Sequence, residues 1–458
     1  MPFLNDSERE ERKRQLRRNM RVNRELIEEE REAEEGLYAD PEDVSDAGQD
    51  RYDGYGDEDG YDSGNGEAVD EEEVASVEKR IRGKKLDRRK KIILIAACAA
   101  AAAVIVLLVL TFSGWRSVSK KWTVDMPGAD LVAFEPLGTG VVRYSRDGAA
   151  FYDTRGENIW NQGFEMNAPL SGTASGRLAL ADNGGTSLYL FDVNGCTGHA
   201  ETNYEIANVC IASNGYAAVV SEYEDAAYIN YYAPDGTPVA IEVKTVLPGE
   251  GYPVDLALSD DGAILMVSYA YLEGGGLSNR VVFYNFSEEG ETATQRIVGG
   301  FEQYEGSIAA DVEMLEGNAA VAFAEDRVSF YSLTNRVSPQ LVKEIEVEGQ
   351  ILSVACSGDR AAIVQSSGEE AGAYVVSIYS SSGSLVRQFT TALPYNRVFF
   401  ADGYLMLTNS ETCEIYTPAG KLKYEGPLAG NISRVICADG YWYMAGGDSL
   451  YRFAFGVI

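Results

Sequence analysis

The sequence predicts an all-β fold, an eight-bladed β-propeller that follows a charged N-terminal tail and one transmembrane helix. A Gly-containing turn followed by small and aliphatic residues recurs eight times between Gly138 and Gly440, at intervals of 37 to 55 residues. A second turn follows each of the first seven. A unit of about 40 to 45 residues with four short antiparallel strands is one blade of a β-propeller. An apolar segment of 21 residues precedes the repeats and predicts the transmembrane helix.

The N-terminal tail, residues 1–91, is expected to lie in the cytoplasm and to have three parts. Residues 7–35 are mostly charged and contain neither Pro nor Gly, which favours a solvent-exposed helix. Residues 40–73 contain fifteen Asp or Glu and a single basic residue, Arg51. Such a segment cannot bury enough apolar surface to offset its loss of conformational entropy, so we expect it to be disordered. Residues 79–91 contain nine Lys or Arg.

Residues 92–112 are predicted to form the transmembrane helix. They contain no charged residue, no Pro and no Gly, and in a helix they span about 31 Å, the thickness of a bilayer hydrocarbon core. The nine basic residues lie directly before this segment, whereas Arg116, Lys120 and Lys121 follow it. Because basic residues stay on the cytoplasmic side, we expect the N-terminus inside and the propeller outside the cell membrane. A cleaved signal peptide is the alternative, but the preceding 91 residues are too many for one.

The charge of the chain excludes one class of partner. The formal net charge is −32, and from residue 92 onward there are 43 acidic and 20 basic residues. Nucleic-acid affinity depends on neutralising phosphates with Lys and Arg, so no nucleic acid is expected to bind this domain. The same argument disfavours other polyanions. The basic segment 79–91 is the part that suits anionic headgroups, although its role as a topology signal alone explains it.

Residues 113–119 are expected to be a linker and residues 120–458 the propeller. In six of the seven second turns, an aromatic residue is followed four positions later by a residue that tolerates positive φ, as in Tyr152 and Gly156. In the fourth repeat the turn is longer, and Gly290 follows Tyr284 by six positions. The eighth unit ends after its third strand, at residues 449–456. The missing fourth strand is predicted at Lys121–Met126, because pairing the two ends would close the ring and leave no open edge. A seven-bladed ring with an irregular first or fourth unit is the alternative.

The turn from Tyr152 to Gly156, followed by Trp160, resembles the strand-turn-strand units of quinoprotein-like and WD40-like propellers. The basic segment, single apolar span and acidic repeat domain together resemble an uncharacterised family of membrane-anchored propeller proteins from Gram-positive bacteria. The resemblance covers the whole chain, but its motifs are structural. It implies a fold and a location at the cell envelope, and it implies no activity.

No catalytic, cofactor-binding or metal-binding residues are predicted. The four Trp are scattered, and the sequence lacks the repeated Trp-docking motif of quinoprotein dehydrogenases. His199 is the single histidine, so a His-rich metal site is excluded and a Ser-His-Asp triad would depend on one turn residue. The five Cys that follow the apolar segment have no close pairs and are expected to be buried thiols.

Polar residues lie at the starts of several predicted first strands. Six positions before the first-turn Gly are Asp311, Arg397 and Arg434, in blades five, seven and eight. Seven positions before it are Asn208 and Asp255, in blades three and four. First strands are innermost in a propeller, so we expect these side chains to ring one mouth of the central channel, where a zwitterionic, peptide or sugar ligand would bind. The alternative is that they are charged strand ends that pair with one another.

Three functions follow from this pattern. The favoured one is a non-catalytic, membrane-anchored extracytoplasmic module, integral in the membrane through its single span, that binds an envelope protein, a peptide or a glycan at a propeller face. The second is a sensor that passes ligand occupancy to the cytoplasmic tail. The third and least favoured is an extracytoplasmic hydrolase that uses Asp255 and Asp311. The ligand and the oligomeric state are not determined by the sequence.

Overall fold

The structure is a computed structural model that describes residues 95–96, 114–126, 132–304, 306–368, 372–409, 411–428, 432–446 and 449–456. The predicted tail, residues 1–91, lies outside the described residues. Of the predicted transmembrane segment, Ile95 and Ala96 are described, and both are helical. Among the described residues, no helix is long and apolar enough to span a bilayer.

The described residues form 32 strands in eight four-stranded antiparallel sheets, which are the eight blades. The eight-bladed prediction is therefore confirmed, and the seven-bladed alternative is wrong. Strand β1 spans Ser117–Asp125. Blade 1 contains β2 (Ala133–Leu137), β3 (Gly140–Ser145), β4 (Gly148–Tyr152) and β5 (Asn158–Gly163). Blade 2 contains β6 (Pro169–Ala174), β7 (Arg177–Asp182), β8 (Ser187–Asp192) and β9 (Gly195–Glu201). Blade 3 contains β10 (Glu205–Ile211), β11 (Ala217–Tyr223), β12 (Ala226–Tyr232) and β13 (Pro238–Val246).

Blade 4 contains β14 (Tyr252–Leu258), β15 (Ile264–Glu273), β16 (Gly276–Asn285) and β17 (Ile297–Phe301). Blade 5 contains β18 (Ala309–Leu315), β19 (Ala319–Ala324), β20 (Arg327–Ser332) and β21 (Gln340–Glu346). Blade 6 contains β22 (Ile351–Ser357), β23 (Arg360–Ser366), β24 (Tyr374–Ser380) and β25 (Leu385–Thr391). Blade 7 contains β26 (Arg397–Ala401), β27 (Tyr404–Thr408), β28 (Thr412–Tyr416) and β29 (Leu422–Pro427). Blade 8 contains β30 (Arg434–Ala438), β31 (Tyr441–Gly446), β32 (Ser449–Gly456) and β1.

Blade 4 contains the longest insertions among the described residues. A short helix, α1 (Leu247–Glu250), precedes it, and two 3-10 helices at Glu288–Thr292 and Thr294–Arg296 lie between β16 and β17. The two 3-10 helices and the ten-residue strands β15 and β16 account for the long interval that the sequence shows in the fourth repeat.

Strand β1 closes the ring by pairing antiparallel with β32, from Ser117 opposite Gly456 to Asp125 opposite Ser449. The closing strand was predicted correctly, but it begins at Ser117, inside the predicted linker, rather than at Lys121. A β-bulge between Lys120 and Trp122 reverses the side to which alternate residues point. Val118 therefore packs in the cluster between blades 7 and 8, whereas Trp122 packs in the cluster between blades 8 and 1.

The hydrophobic core lies between neighbouring blades. Val142 and Phe151 of blade 1, for example, pack in one cluster with Leu178 and Phe191 of blade 2. Trp160 stacks between them, with ring centroids 5.8 Å from Phe151 and 5.2 Å from Phe191. Because second strands are covered on both sides, their sequences are continuous small and aliphatic runs, the repeat that the sequence shows.

The antiparallel order gives the ring two distinct faces. The first strand of each blade begins at what we call the upper face, which also carries the turn between second and third strands. The lower face carries the turns that follow first and third strands. First strands of neighbouring blades contact one another and are therefore innermost. Since β1 is the outermost strand of blade 8, Ser117 lies at the lower face.

Candidate functional site

The structure places all five predicted site residues in first strands, but only the two arginines lie at the predicted strand starts. Asn208, Asp255 and Asp311 lie in β10, β14 and β18 of three consecutive blades. Arg397 and Arg434 are the first residues of β26 and β30 in blades 7 and 8. The residues therefore form two groups, one acidic and one basic, rather than one continuous ring.

The acidic group is positioned by a feature that blades 3 to 5 share. A β-bulge directly precedes Asn208, Asp255 and Asp311 in their strands, and a bulge redirects the side chain that follows it. The Asn208 side-chain amide donates to Asp255 Oδ1 at 3.4 Å, and the Val312 backbone N–H donates to Asp255 Oδ2 at 2.9 Å. Asp255 is thus tied to both neighbouring blades.

Asp311 and Glu313 add two carboxyl groups beside Asp255. Being two residues apart in β18, they point to the same side of the strand. Burial, with the like charge of Asp255, raises the pKa of Asp311 to about 6. Its Oδ1 atom is buried without a hydrogen-bond partner among the described residues. The sequence analysis missed Glu313, because that residue lies beyond the strand start.

Glu313 is accessible to the water of the channel but is closely surrounded by protein. This enclosure, together with the charges of Asp311 and Asp255, raises its pKa to about 8. Burial also raises the pKa of Asp255, although Val312, Leu256 and Asn208 offset part of the effect by hydrogen bonding. The three carboxyl groups therefore share less than three full negative charges at neutral pH.

Asp255 and Glu313 line a cavity of about 400 Å³, together with Asn208 and with Gly172 and Thr173 of blade 2. The cavity extends along the channel to Asp260, in the lower-face turn after β14. No salt bridge among the described residues neutralises these carboxyl groups. The cavity therefore suits a ligand that brings positive charge or hydrogen-bond donors.

The cysteines agree only partly with the prediction of buried thiols. Cys413 is buried, but Cys196 is exposed, and Cys210, Cys356 and Cys437 are half-buried. Burial and the nearby carboxyl groups raise the pKa of Cys210 and of Cys356. Both thiols therefore stay protonated and are poor nucleophiles.

The basic group is largely neutralised by a residue that the sequence analysis missed. Arg434 Nη1 and Nη2 donate to the two carboxylate oxygens of Glu135, at 2.8 and 2.7 Å. Glu135, in β2, also accepts from the Ser171 hydroxyl at 3.1 Å, which in turn accepts from the Tyr144 hydroxyl. Arg434 thus has a structural partner, as in the alternative interpretation of charged strand ends that pair.

Arg397 remains as the cation at this side of the mouth. It is exposed and forms no salt bridge with any other described residue. Partial loss of solvent around the guanidinium lowers the pKa of Arg397, as does the positive charge of Arg434, and Glu135 offsets part of the effect.

His199 lies in β9, the outermost strand of blade 2, far from the innermost strands. It pairs with Glu201 at 3.1 Å and stacks on Tyr189 at 4.3 Å. Within the described residues, no three His, Cys, Asp or Glu are arranged to hold a metal ion. The channel mouth is therefore the candidate site, and its chemistry is that of binding polar groups.

The fold and the site define an eight-bladed β-propeller with a charged channel mouth. A protein-family model, the family of unknown function DUF5711, matches residues 113–448, and the chain belongs to that family. Sqt1 from Chaetomium thermophilum is similar over 74% of this chain and 100% of its own, with a TM-score of 0.50 at 13% identity. BamB from Moraxella catarrhalis is similar over 74% of this chain and 100% of its own, with a TM-score of 0.49 at 13% identity. At 13% identity, the likeness to Sqt1 shows the fold alone. A search of curated proteins found no match.

Proposed function

We propose that this protein is a non-catalytic, membrane-anchored extracytoplasmic module that binds an envelope protein, a peptide or a glycan at the upper mouth of its propeller. The observation that carries this proposal is the acidic cavity of the channel, where the carboxyl groups of Asp255 and Glu313 meet no neutralising cation among the described residues. Such a site is stabilised when a ligand supplies the missing donors.

Several features support binding rather than catalysis. Asp255 is held by Asn208 and by the Val312 backbone, as a structural acceptor is. The nearby thiols of Cys210 and Cys356 are protonated, and the single histidine lies elsewhere. A hydrolase needs an activated nucleophile or water, and the described residues of the mouth offer no base paired with a nucleophile.

The point at which the chain joins the propeller supports an orientation of the propeller relative to the membrane. The Trp115 N–H donates to the Lys423 carbonyl oxygen at 2.6 Å, and its ring stacks on Phe455 with centroids 4.5 Å apart. The chain is thus attached to the lower face from Trp115 onward, three residues after the predicted span ends. If residues 92–112 cross the membrane, the lower face lies at the bilayer and the upper mouth points away from it.

Cysteine labelling of intact cells tests the anchoring. In a Cys196→Ser background, Leu272→Cys is exposed and should react with a membrane-impermeant maleimide, whereas Ser7→Cys should react only after lysis. The Cys196→Ser parent gives the baseline. Labelling of Ser7→Cys on intact cells, or of Leu272→Cys only after lysis, would contradict the proposed topology.

Photocrosslinking in cells tests the binding function. A photoreactive amino acid at Leu272, on the upper face, should capture a defined envelope component, and the double variant Asp311→Asn/Arg397→Gln should reduce the yield. The matched control is Glu316→Gln, on the lower face, which should leave the yield unchanged. Equal capture by the parent and the double variant would exclude the channel mouth as the binding site.

A further inference from the structure

We infer that the partner at the upper mouth is a polypeptide segment that lays apolar side chains on a ledge of blade 4 and inserts a Lys or Arg side chain into the acidic end of the channel. This inference rests on the proposed binding function and names the chemistry of the partner. We define the ledge as Tyr252, Tyr271, Leu272 and Leu277.

The ledge is built on a projecting hairpin. Strands β15 and β16 have ten residues each, the longest of the described strands, and extend at the upper face. Leu272 is 77% exposed and Leu277 43% exposed at its tip, and Tyr252 is 37% exposed beside them. Together with Tyr271 and Leu247, these residues line a cavity of about 270 Å³.

This combination is typical of a protein-binding surface. A single exposed Leu is common on soluble proteins, but a contiguous apolar patch with a concave centre marks an interaction site. Tyrosine is enriched at interfaces because its ring buries a large area while its hydroxyl stays hydrogen-bonded. Here the Tyr252 hydroxyl already donates to Glu222, so its ring is held in place.

The charge around the ledge selects the partner. Glu222, Glu250 and Glu273 are exposed at its rim. The adjacent base, Arg280, donates to the Glu250 carbonyl oxygen and stacks over Tyr271 at 5.2 Å, so it is held within the protein. An acidic rim repels polyanions and attracts segments in which apolar residues alternate with Lys or Arg. A basic polypeptide therefore fits, and an anionic glycan does not.

The ledge is continuous with the acidic end of the channel. Tyr252 and Asp255 lie three residues apart in β14, a distance of about 10 Å along a strand. A basic side chain next to an apolar residue on the ledge can therefore reach the carboxyl groups. There it would meet the carboxyl groups of Asp255 and Glu313, which line the channel cavity.

Defined peptides test the inference on the full-length protein in detergent. The probes are fluorescent peptides in which a Leu-Tyr-Leu segment is followed at varied spacing by one Lys, matched with peptides in which Glu or norleucine replaces that Lys. We expect the best Lys peptide to bind about tenfold or more tightly than its matched partners, as measured by anisotropy.

Variants separate the two parts of the surface. Asp311→Asn/Glu313→Gln should remove the preference for Lys over norleucine while leaving residual apolar binding. Leu272→Ser/Leu277→Ser should weaken all the peptides by about tenfold. The lower-face control, Glu316→Gln, should change neither. Circular dichroism of each variant shows that the fold is retained.

Two results would overturn the inference. One is equal or tighter binding of the Glu peptides, and the other is no binding by any Lys peptide of the set. If photocrosslinks at the upper face still depended on Asp311 and Arg397 in either case, the proposed binding function would stand with a different ligand, such as a glycan. If those crosslinks were also insensitive to the mouth, both proposals would be wrong.

Discussion

Arg434 and Glu135 form a bidentate ion pair across the interface between blade 8 and blade 1, with N–O distances of 2.8 and 2.7 Å. The two residues are 299 positions apart in the sequence. Glu135 is 8% exposed, so the charges interact where water screens them little. The Tyr443 hydroxyl adds a bond across the same interface, to the Thr139 carbonyl oxygen at 2.6 Å. The last blade is thus joined to the first by polar contacts as well as by the pairing of β1 with β32.

Arg434→Met should destabilise the propeller by about 3 kcal/mol or more, because it leaves the Glu135 carboxylate buried without its counterion. The double variant Glu135→Gln/Arg434→Met should cost less than the sum of the single variants. Urea unfolding measures these differences. The control is Arg155→Met, which removes the ion pairs of an exposed arginine with Asp153 and Glu157 and should cost less than about 1 kcal/mol. An equal effect of the two Arg substitutions would show that the buried pair adds nothing to closure.

Removing β1 should prevent cooperative folding of the ring. A chain that begins at Met126 lacks the partner of β32 and exposes an unpaired strand edge with Phe455 and Leu450 beside it. We expect aggregation or a broad thermal transition, whereas residues 114–458 should unfold in a single transition. A synthetic peptide of residues 114–126 should restore the transition by strand addition. Identical cooperative unfolding of both chains, without the peptide, would show that closure does not depend on β1.

The sequence was sufficient to predict the blades because the chemistry of turns and strands is local. Gly262, for example, adopts a φ of +67° in the first turn of blade 4, a conformation that favours Gly. The apolar runs that follow such turns are covered on both sides by neighbouring blades. Local signals repeated eight times therefore gave the fold, although the bulge at Lys120 concealed where β1 begins.

The sequence predicts which strands carry the candidate site residues, but it does not predict which of their charges form ion pairs. Counting from the turns placed Asn208, Asp255 and Asp311 in the correct strands, although they lie two or three residues beyond the strand starts. Whether a charged side chain in this part of a first strand forms an ion pair depends on a side chain of another blade. Glu135 lies three residues before its turn Gly rather than six or seven, so no repeat pattern aligns it with Arg434. Contacts between side chains of different blades do not follow the sequence repeat, so the repeat does not predict them.

Gly198→Ala should destabilise the protein by about 1 to 3 kcal/mol. A Cβ atom at Gly198, in β9, would lie 2.3 Å from the backbone of Asp235 in a turn of blade 3, so one blade would have to move. Gly163→Ala is the control, because a Cβ atom there has no neighbour within 4 Å. It should stay within about 1 kcal/mol of the parent. Thermal unfolding compares them, and equal midpoints would show that blades 2 and 3 are less closely packed than the structure indicates.

Asp311→Asn should stabilise the propeller above pH 6 and have little effect near pH 4. The pKa of Asp311 is raised from 3.8 to about 6 by burial and by Asp255. The native state therefore keeps its proton to a higher pH than the unfolded chain. The stability that this proton contributes is fully present below about 3.8 and is lost as the pH rises through about 6. Asn is neutral throughout, so it avoids that loss, and we expect a gain of about 1 to 3 kcal/mol at pH 8.

Urea unfolding of the parent and Asp311→Asn at pH 4 and pH 8 measures this dependence. Glu313 and the Cys356 thiol also face Asp311, so the difference between variants is compared rather than the absolute curve. The control is Asp326→Asn, because the hydrogen bond and charge of Arg327 lower the pKa of Asp326 to about 2. That variant should lose stability at pH 8, whereas Asp311→Asn should gain stability at that pH. A destabilised Asp311→Asn at pH 8 would show that a charged Asp311 has a stabilising partner, and the channel mouth would then lack the uncompensated carboxylate that the proposed ligand needs.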